Sequence, residues 1–188
     1  MKLCLTGSHG TGKSTLLKIL KEKLPDWEIQ TESLTRKAVQ NSNKVNFGTT
    51  DESEKLISEL YMKSFLNSSK NFIAGRHMID VLAYSIYLKK INKNIKNSTI
   101  QAILKKIQKI RSKKIFDLII YIPIEFKQKE SGEFREGQQE NPNYQKDIDT
   151  IIKFLLWKHD ISYITVTGTP EQRVEQILKI IKEKENVI

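Results

Sequence analysis

One cysteine, four prolines and eight glycines in 188 residues leave few covalent or conformational staples. A lone thiol cannot close an internal disulfide, and Cys4 lies in the apolar run Leu3-Cys4-Leu5, where it reads as a buried, inert side chain. The three histidines, His9, His77 and His159, join no Cys/His cluster with zinc spacing, so a structural zinc site is excluded. His77 and His159 read as surface or packing residues. The longest apolar stretches, such as Leu118 to Ile124, fall far short of the ~20 residues that a bilayer-spanning helix needs. Met1-Lys2 runs straight into a strand-like segment without a signal-peptide pattern, and together these features predict a cytoplasmic protein with no membrane contact. No internal repeat, linker or second domain is visible, so residues 1–188 are expected to form a single domain.

The chain does contain 38% hydrophobic and 29% charged residues, enough for one α/β domain with a sizeable core. Thirty-two Lys and Arg against 22 Asp and Glu give a formal charge of +10, which favours anionic partners such as nucleotides or nucleic acid. The excess is written in Lys within a composition rich in Ile and Asn, so charge alone does not choose among them. Arginine is more telling. Only Arg36, Arg76, Arg111, Arg135 and Arg173 occur, and a guanidinium holds phosphate oxygens in a bidentate fork that an ammonium cannot copy.

The hydrophobic pattern alternates between strand and helix. Strands are expected at Lys2–Thr6, Trp27–Thr31, Asn71–Ala74, Asp117–Ile122 and Ser162–Val166, the fourth being almost continuously apolar, as in a buried parallel strand. Helices are expected at Lys13–Lys23, Ser33–Gln40, from an Asp51 N-cap through Leu66, Met78–Lys89, Thr99–Ser112 behind a Ser98 cap, Pro142–Lys158 and Pro170–Lys184. Two polar stretches interrupt the pattern, Asn41–Thr50 and 125–141. The second is long enough to suggest a lid loop. The whole is a doubly wound α/β sheet in three layers.

Gly7-Ser8-His9-Gly10-Thr11-Gly12-Lys13-Ser14 satisfies the phosphate-loop pattern G-x-x-x-x-G-K-[ST], between a predicted strand and a predicted helix. Glycines let the backbone curl so that successive N–H groups face phosphate oxygens, and the helix N-terminus adds partial positive charge. Lys13 is then placed for the β and γ phosphates, Ser14 for Mg²⁺, and Thr15 continues the first turn. His9 is expected to contribute its backbone amide rather than its ring.

The chain resembles the P-loop kinase branch that contains nucleoside and nucleotide kinases, and within it the small AAA-like group related to ribosylnicotinamide kinase domains. The residues that carry the likeness are Gly7 to Thr15, Thr31 to Arg36, Ile73 to Tyr84, Phe116 to Pro123 with Phe134-Arg135-Glu136, and Val166 to Pro170. The resemblance implies a P-loop NTPase domain with a five-stranded parallel sheet in the order 2-3-1-4-5. It also implies phosphoryl transfer from ATP, with GTP as an open alternative, and with Mg²⁺. Glu32, at the end of the second strand, would accept the proton of the attacking hydroxyl, or else be an exposed glutamate of the next helix. Arg36 would hold an acceptor phosphate or sugar, or else be a surface arginine, and Arg76 would hold the acceptor and take part in catalysis. Related kinases commonly carry an acidic residue just before that second arginine, where this chain has Gly75. Either Asp80 would take over part of its role, or Mg²⁺ would be held by Ser14, phosphates and water, with Asp80 a helix cap or a structural ion-pair residue. Asp117, at the wrong end of its strand, reads as structural. Arg135 would close with the lid over ATP, helped by Lys127 and Lys129. Thr167, Gly168 and Pro170, with Arg173 beyond, would cradle the adenine.

Three functional classes follow from these residues, two of them defined by the acceptor. A nucleoside, deoxynucleotide or related ribosyl compound is one, with Tyr61, Phe65 or Tyr84 available to stack a base. DNA or RNA is the second, through a polynucleotide 5′-hydroxyl or a hydroxymethylated base, with the basic helix around Lys105–Lys114 following the phosphate backbone. A nucleotide-dependent switch or ATPase without an acceptor is the third. Oligomeric state leaves no mark on the sequence.

Overall fold

A computed structural model of the chain describes residues 1–31, 34, 50–91, 94–126, 141 and 143–185. Five parallel strands, β1 (Lys2–Thr6), β2 (Glu28–Ile29), β3 (Phe72–Ala74), β4 (Leu118–Tyr121) and β5 (Ile164–Thr165), lie in the order β2-β3-β1-β4-β5. Six helices accompany them among the described residues: α1 (Lys13–Lys23), α2 (Asp51–Asn67), α3 (Met78–Lys90), α4 (Asn97–Ser112), α5 (Tyr144–Lys158) and α6 (Pro170–Glu185).

The alternation of strand side chains assigns the layers. Leu3, Leu5, Ile73 and Ile120 point to one face, where Leu16, Leu17 and Leu20 of α1 and Val174, Ile177 and Ile181 of α6 cover them. Cys4, Phe72, Ala74, Ile119 and Tyr121 point to the other, beneath α2, α3, α4 and α5. Both faces are covered, which explains why β4 reads as an unbroken apolar run. Register places Cys4 between Ala74 and Ile119, so β1 is the central strand and its C-terminal end opens at the middle of the sheet. Burial first, and then the charge of Asp80, push the Cys4 thiol well above its ordinary pKa, in keeping with an inert residue.

Several boundaries differ from expectation. Thr50, not Asp51, caps α2, its hydroxyl accepting the Ser53 N–H at 3.2 Å. Asp51 is instead inside the first turn. Its Oδ1 accepts the Lys96 N–H (2.9 Å) and the Thr99 hydroxyl (2.6 Å), and its Oδ2 pairs with Lys55 (2.9 Å), so one carboxylate ties α2 to the start of α4. That tie moves the start of α4 to Asn97, ahead of the expected Ser98 cap. β2 and β5 are shorter than predicted because they form the two sheet edges, where Ile164 remains exposed. The start of α5 is at Tyr144, and Pro142 lies outside the described residues, as do most of the expected helix Ser33–Gln40 and the stretch to residue 49. No helix among the described residues is long and apolar enough to cross a membrane.

Candidate active site

The phosphate loop connects the C-terminal end of β1 to α1, where an open α/β sheet presents its ligand crevice. Gly7 has φ of 141°, and a Cβ there would lie 2.5 Å from the Ile122 carbonyl oxygen, so this turn admits only glycine. Gly12, at φ 92°, occupies the cap position of α1, with no side-chain cap and no acidic residue in the first turn, so the positive end of the helix faces the loop. Lys13 is buried and its Nζ donates to the Gly7 carbonyl (2.7 Å), the Ser8 carbonyl (2.5 Å) and Thr11 Oγ1 (3.1 Å). Ser14 and Thr15 are exposed at the mouth of the loop. The Gly10 backbone, at φ 72°, completes the curl.

His9 departs from its expected part. Its amide donates to the Tyr84 hydroxyl (3.1 Å), its Nδ1 lies 2.9 Å from the same oxygen, and its carbonyl accepts from Gln145 Nε2 (2.6 Å). Its ring packs on Tyr144 with centroids 4.8 Å apart. His9 therefore fastens the loop to α3 and α5. Tyr84 does this fastening rather than stacking a base, while Tyr61 and Phe65 are core residues of α2 with no exposed face.

Beneath the loop lies a fully buried carboxylate. Asp80 Oδ1 accepts the Thr6 hydroxyl and, at 3.4 Å, the Gly7 N–H, while Oδ2 has no hydrogen-bond partner among the described residues. Burial raises the Asp80 pKa, against the opposing pull of Arg76 and Lys13. Asp80 thus braces the loop from α3 within the electrostatic reach of both cations. Arg76, in the turn after β3, places its guanidinium 4.9 Å from the Tyr84 ring centroid and makes no ion pair among the described residues. A guanidinium with no ion pair among the described residues, although the Asp80 and Glu54 carboxyls lie within its electrostatic reach, is suited to an external anion. Gly75 has little room for the acidic side chain expected there, since a Cβ would approach Leu17 Cδ1 to 2.7 Å and the Gln30 carbonyl to 3.1 Å. His77 caps α3, its Nδ1 accepting the Ile79 N–H at 3.2 Å, and burial lowers its pKa to about 3.

Sequence reasoning missed Glu54. This α2 residue is 4% exposed, and its Oε2 accepts the Ser85 hydroxyl of α3 at 2.5 Å. Burial raises its pKa to about 7, with the Ser85 hydrogen bond and the Arg76 charge opposing the rise. The signal was legible. Glu54 precedes Ile57 and Tyr61 by three and seven positions, placing an acid on the apolar stripe of an amphipathic helix.

On the other side of the loop, Arg173 of α6 is buried. Its Nη1 donates to the Thr11 carbonyl (2.7 Å), and its Nη2 pairs with Glu125, whose Oε2 also accepts the Gly168 N–H (2.8 Å). Burial pushes the Glu125 carboxyl up, but Arg173 and the Gly168 amide outweigh it and leave the pKa below its ordinary value. Gly10, Thr11, Gly12, Leu16, Phe126, Pro170 and Arg173 enclose a cleft of about 80 Å³ beside the loop. Thr167 and Gly168 lie at its edge, with Thr167 exchanging hydrogen bonds with Gln176 at 3.3 and 2.8 Å. Asp117 accepts the Lys2 N–H at 2.7 Å at the opposite end of the sheet, as a structural residue. Glu32, Arg36, Lys127, Lys129 and Arg135 lie outside the described residues. The described residues contain no cluster of three or more Asp, Glu, His or Cys that could hold a metal ion by itself.

A phosphate loop at the central strand of a 2-3-1-4-5 parallel sheet defines a P-loop nucleotide-binding fold. The model of the AAA_28 family, described as an AAA domain, matches residues 2–173, and the chain belongs to that family. No curated protein matches the chain in a sequence search. Among solved structures, the NadR protein in complex with NR is similar over 97% of this chain and 50% of its own, with a TM-score of 0.73 and 15% identity. The chain thus spans about half the length of NadR. Deoxyadenosine kinase from M. mycoides is similar over 100% of this chain and 99% of its own, at a TM-score of 0.64 and 18% identity. Thymidylate kinase from Candida albicans follows over 98% and 92%, at 0.57 and 17%.

Proposed function

We propose that this chain is a kinase that transfers the γ-phosphoryl group of ATP to a nucleoside, deoxynucleotide or related ribosyl acceptor. The observation that carries the reading is that Lys13 in the loop and Arg76, which forms no ion pair among the described residues, both act on the buried Asp80 and so stand close to the loop. Two cations so placed can neutralise charge that spreads over the transferred group. The kinases among the structural neighbours support the same reading.

Each side chain then has a part. Loop amides from Gly10 to Thr15, with the start of α1, bind the donor phosphates, and Lys13 exchanges its loop carbonyls for phosphate oxygens. Asp80 keeps Thr6 and Gly7 in place beneath them. The exposed hydroxyl of Ser14 and the unpartnered Asp80 Oδ2 are oxygen donors that fit Mg²⁺, which when bound supplies positive charge to the phosphates and keeps most of its remaining ligands as water. Phe126, Pro170 and Arg173, with Thr167 and Gly168 beside them, receive the adenine. Glu32 takes the acceptor's proton, Arg36 and Arg76 orient the acceptor, and Arg135 closes over the donor from segment 125–141. The ends of that segment are fixed, Glu125 by Arg173 and Asn141 by Tyr87 (2.8 Å) and Asp147 (3.0 Å). The chain works as one domain without a membrane.

The test is incubation with γ-labelled ATP and Mg²⁺ across nucleosides, deoxynucleoside monophosphates, nicotinamide riboside, 5′-hydroxyl oligonucleotides and hydroxymethylated DNA. Label on a free small molecule is the expected result. Label only on polynucleotide would transfer the reading to a nucleic-acid kinase, and phosphate release with no labelled acceptor would make the protein a nucleotide-dependent switch.

A further inference from the structure

The cations of α4 divide into two sets. Lys106 is neutralised by Glu59 of α2 at 2.7 Å, and Arg111 lies 3.8 Å from Asp160. Lys105, Lys109 and Lys113 follow one another at intervals of four residues, are exposed, and make no ion pair among the described residues. Four residues of helix advance ~6 Å and turn about 40° past a full circle, so the three side chains form a line that starts on the solvent face of α4 and drifts toward the side that carries Lys106 and faces α2, where Lys113 reaches the groove. On the facing helix, Lys63 and Leu66 follow Glu59 at intervals of four and three, and Lys70 lies just beyond. Lys63 and Lys70 are also exposed and make no ion pair among the described residues.

This corridor ends in a groove of about 580 Å³ at the N-terminal ends of the strands, opposite the phosphate loop. Lys70, Lys113 and Lys114 line it, together with Leu66, which is 44% exposed, and Ile115. Lys114 adopts φ 46° as the left-handed residue that closes α4, a position where glycine is usual, so a cationic side chain stands where none is needed for the turn. Of the acids nearby, Glu59 is paired with Lys106, and Asp117, which also lines the groove, accepts the Lys2 N–H and is outnumbered there by Lys2, Lys70, Lys113 and Lys114.

We propose that a single-stranded nucleic-acid segment docks along this corridor, its phosphates following Lys105, Lys109 and Lys113 and its leading nucleotide entering the groove beside Leu66 and Ile115. A line of regularly spaced cations between two banks complements a linear polyanion with a repeating charge. The apolar wall suits a base, which has no charge to neutralise. The surface lies at the far end of the sheet from the phosphate loop, so docking is independent of phosphoryl transfer.

The experiment measures anisotropy of a fluorescein-labelled single-stranded oligonucleotide with the full chain between about 50 and 200 mM salt. Four to five phosphate contacts predict a slope of about −3 in log affinity against log salt, hence a ~60-fold weakening over that range. Reversal of three charges in K105E/K109E/K113E is expected to abolish most binding and to shallow the slope by about 2. The neutral K105Q/K109Q/K113Q variant gives the same direction with less risk to folding, and K13A is expected to bind as the wild type does. An equal loss in K179E/K182E/K184E, which reverses exposed lysines of α6, would reduce the effect to net charge and overturn the proposal. No binding at low salt would overturn it too, as would binding to phosphatidylserine vesicles without binding to the oligonucleotide.

Discussion

Glu54→Gln probes a buried carboxyl outside the loop, and its effect has a sign and a size. The wild-type carboxyl titrates at about 7 in the folded state against 4.5 unfolded, because burial outweighs the Ser85 hydrogen bond and the Arg76 charge. The folded state then holds the proton more tightly than the unfolded state. Its contribution to stability is fully present below 4.5 and is lost as pH rises through about 7. Between about pH 5 and pH 8 this loss amounts to about 2.5 kcal/mol, about 5–10 °C in melting temperature for a chain of this size. Glutamine keeps an oxygen to accept the Ser85 hydroxyl and does not titrate. Urea unfolding of both proteins at the two pH values is the assay. Stability of the glutamine variant relative to wild type is expected to rise by that amount from the acid to the alkaline condition. A difference that stays constant with pH would refute the assignment of a buried, proton-holding carboxyl to Glu54.

Arg173→Met removes the donor to Thr11 and leaves Glu125 without its cation, at an expected cost of about 2–3 kcal/mol, below the range for a fully buried pair because Glu125 is partly exposed. Chemical denaturation reads that cost, and Arg173→Met combined with Glu125→Gln is expected to lose less than the sum of the single changes. Gly7→Ala forces a Cβ against the Ile122 carbonyl at an unfavourable φ, with about 1–3 kcal/mol of strain and weakened ATP binding, measured by denaturation and calorimetry. Tyr84→Phe deletes the oxygen that accepts the His9 amide, and is expected to weaken ATP binding several-fold while costing only about 1 kcal/mol of stability.

The central strands, the helix spans and the phosphate loop were legible because each depends on a local pattern: continuous apolar runs in β1 and β4, helical spacing in α1 and α2, and a fixed motif between β1 and α1, whereas the strand order followed only from the resemblance to P-loop kinases. Helix starts were less so. Thr50 and Asp51 are both good caps, and only the distant Lys96 and Thr99 decide that Asp51 turns to α4 instead. The site's supporting shell depends on pairings across 30 to 160 residues, such as Glu54 with Ser85 and Arg173 with Thr11, which no spacing rule reveals. Even so, each announced itself as a polar residue on an apolar helical stripe, Arg173 through Ile177 and Ile181 as Glu54 through Ile57 and Tyr61. The glycine at position 75, read as a missing acid, has a packing reason in Leu17 and Gln30 that appears only in three dimensions.

The most direct test of the central claim compares label transfer from γ-labelled ATP by wild type, Lys13→Ala and Arg76→Gln on the best acceptor of the panel. Both cations are proposed to meet charge on the transferred group, so each variant is expected to lose roughly 10²–10³-fold in transfer rate while remaining folded. Transfer at the wild-type rate by folded Arg76→Gln, or labelled phosphate released to water by wild type with every acceptor unlabelled, would contradict it.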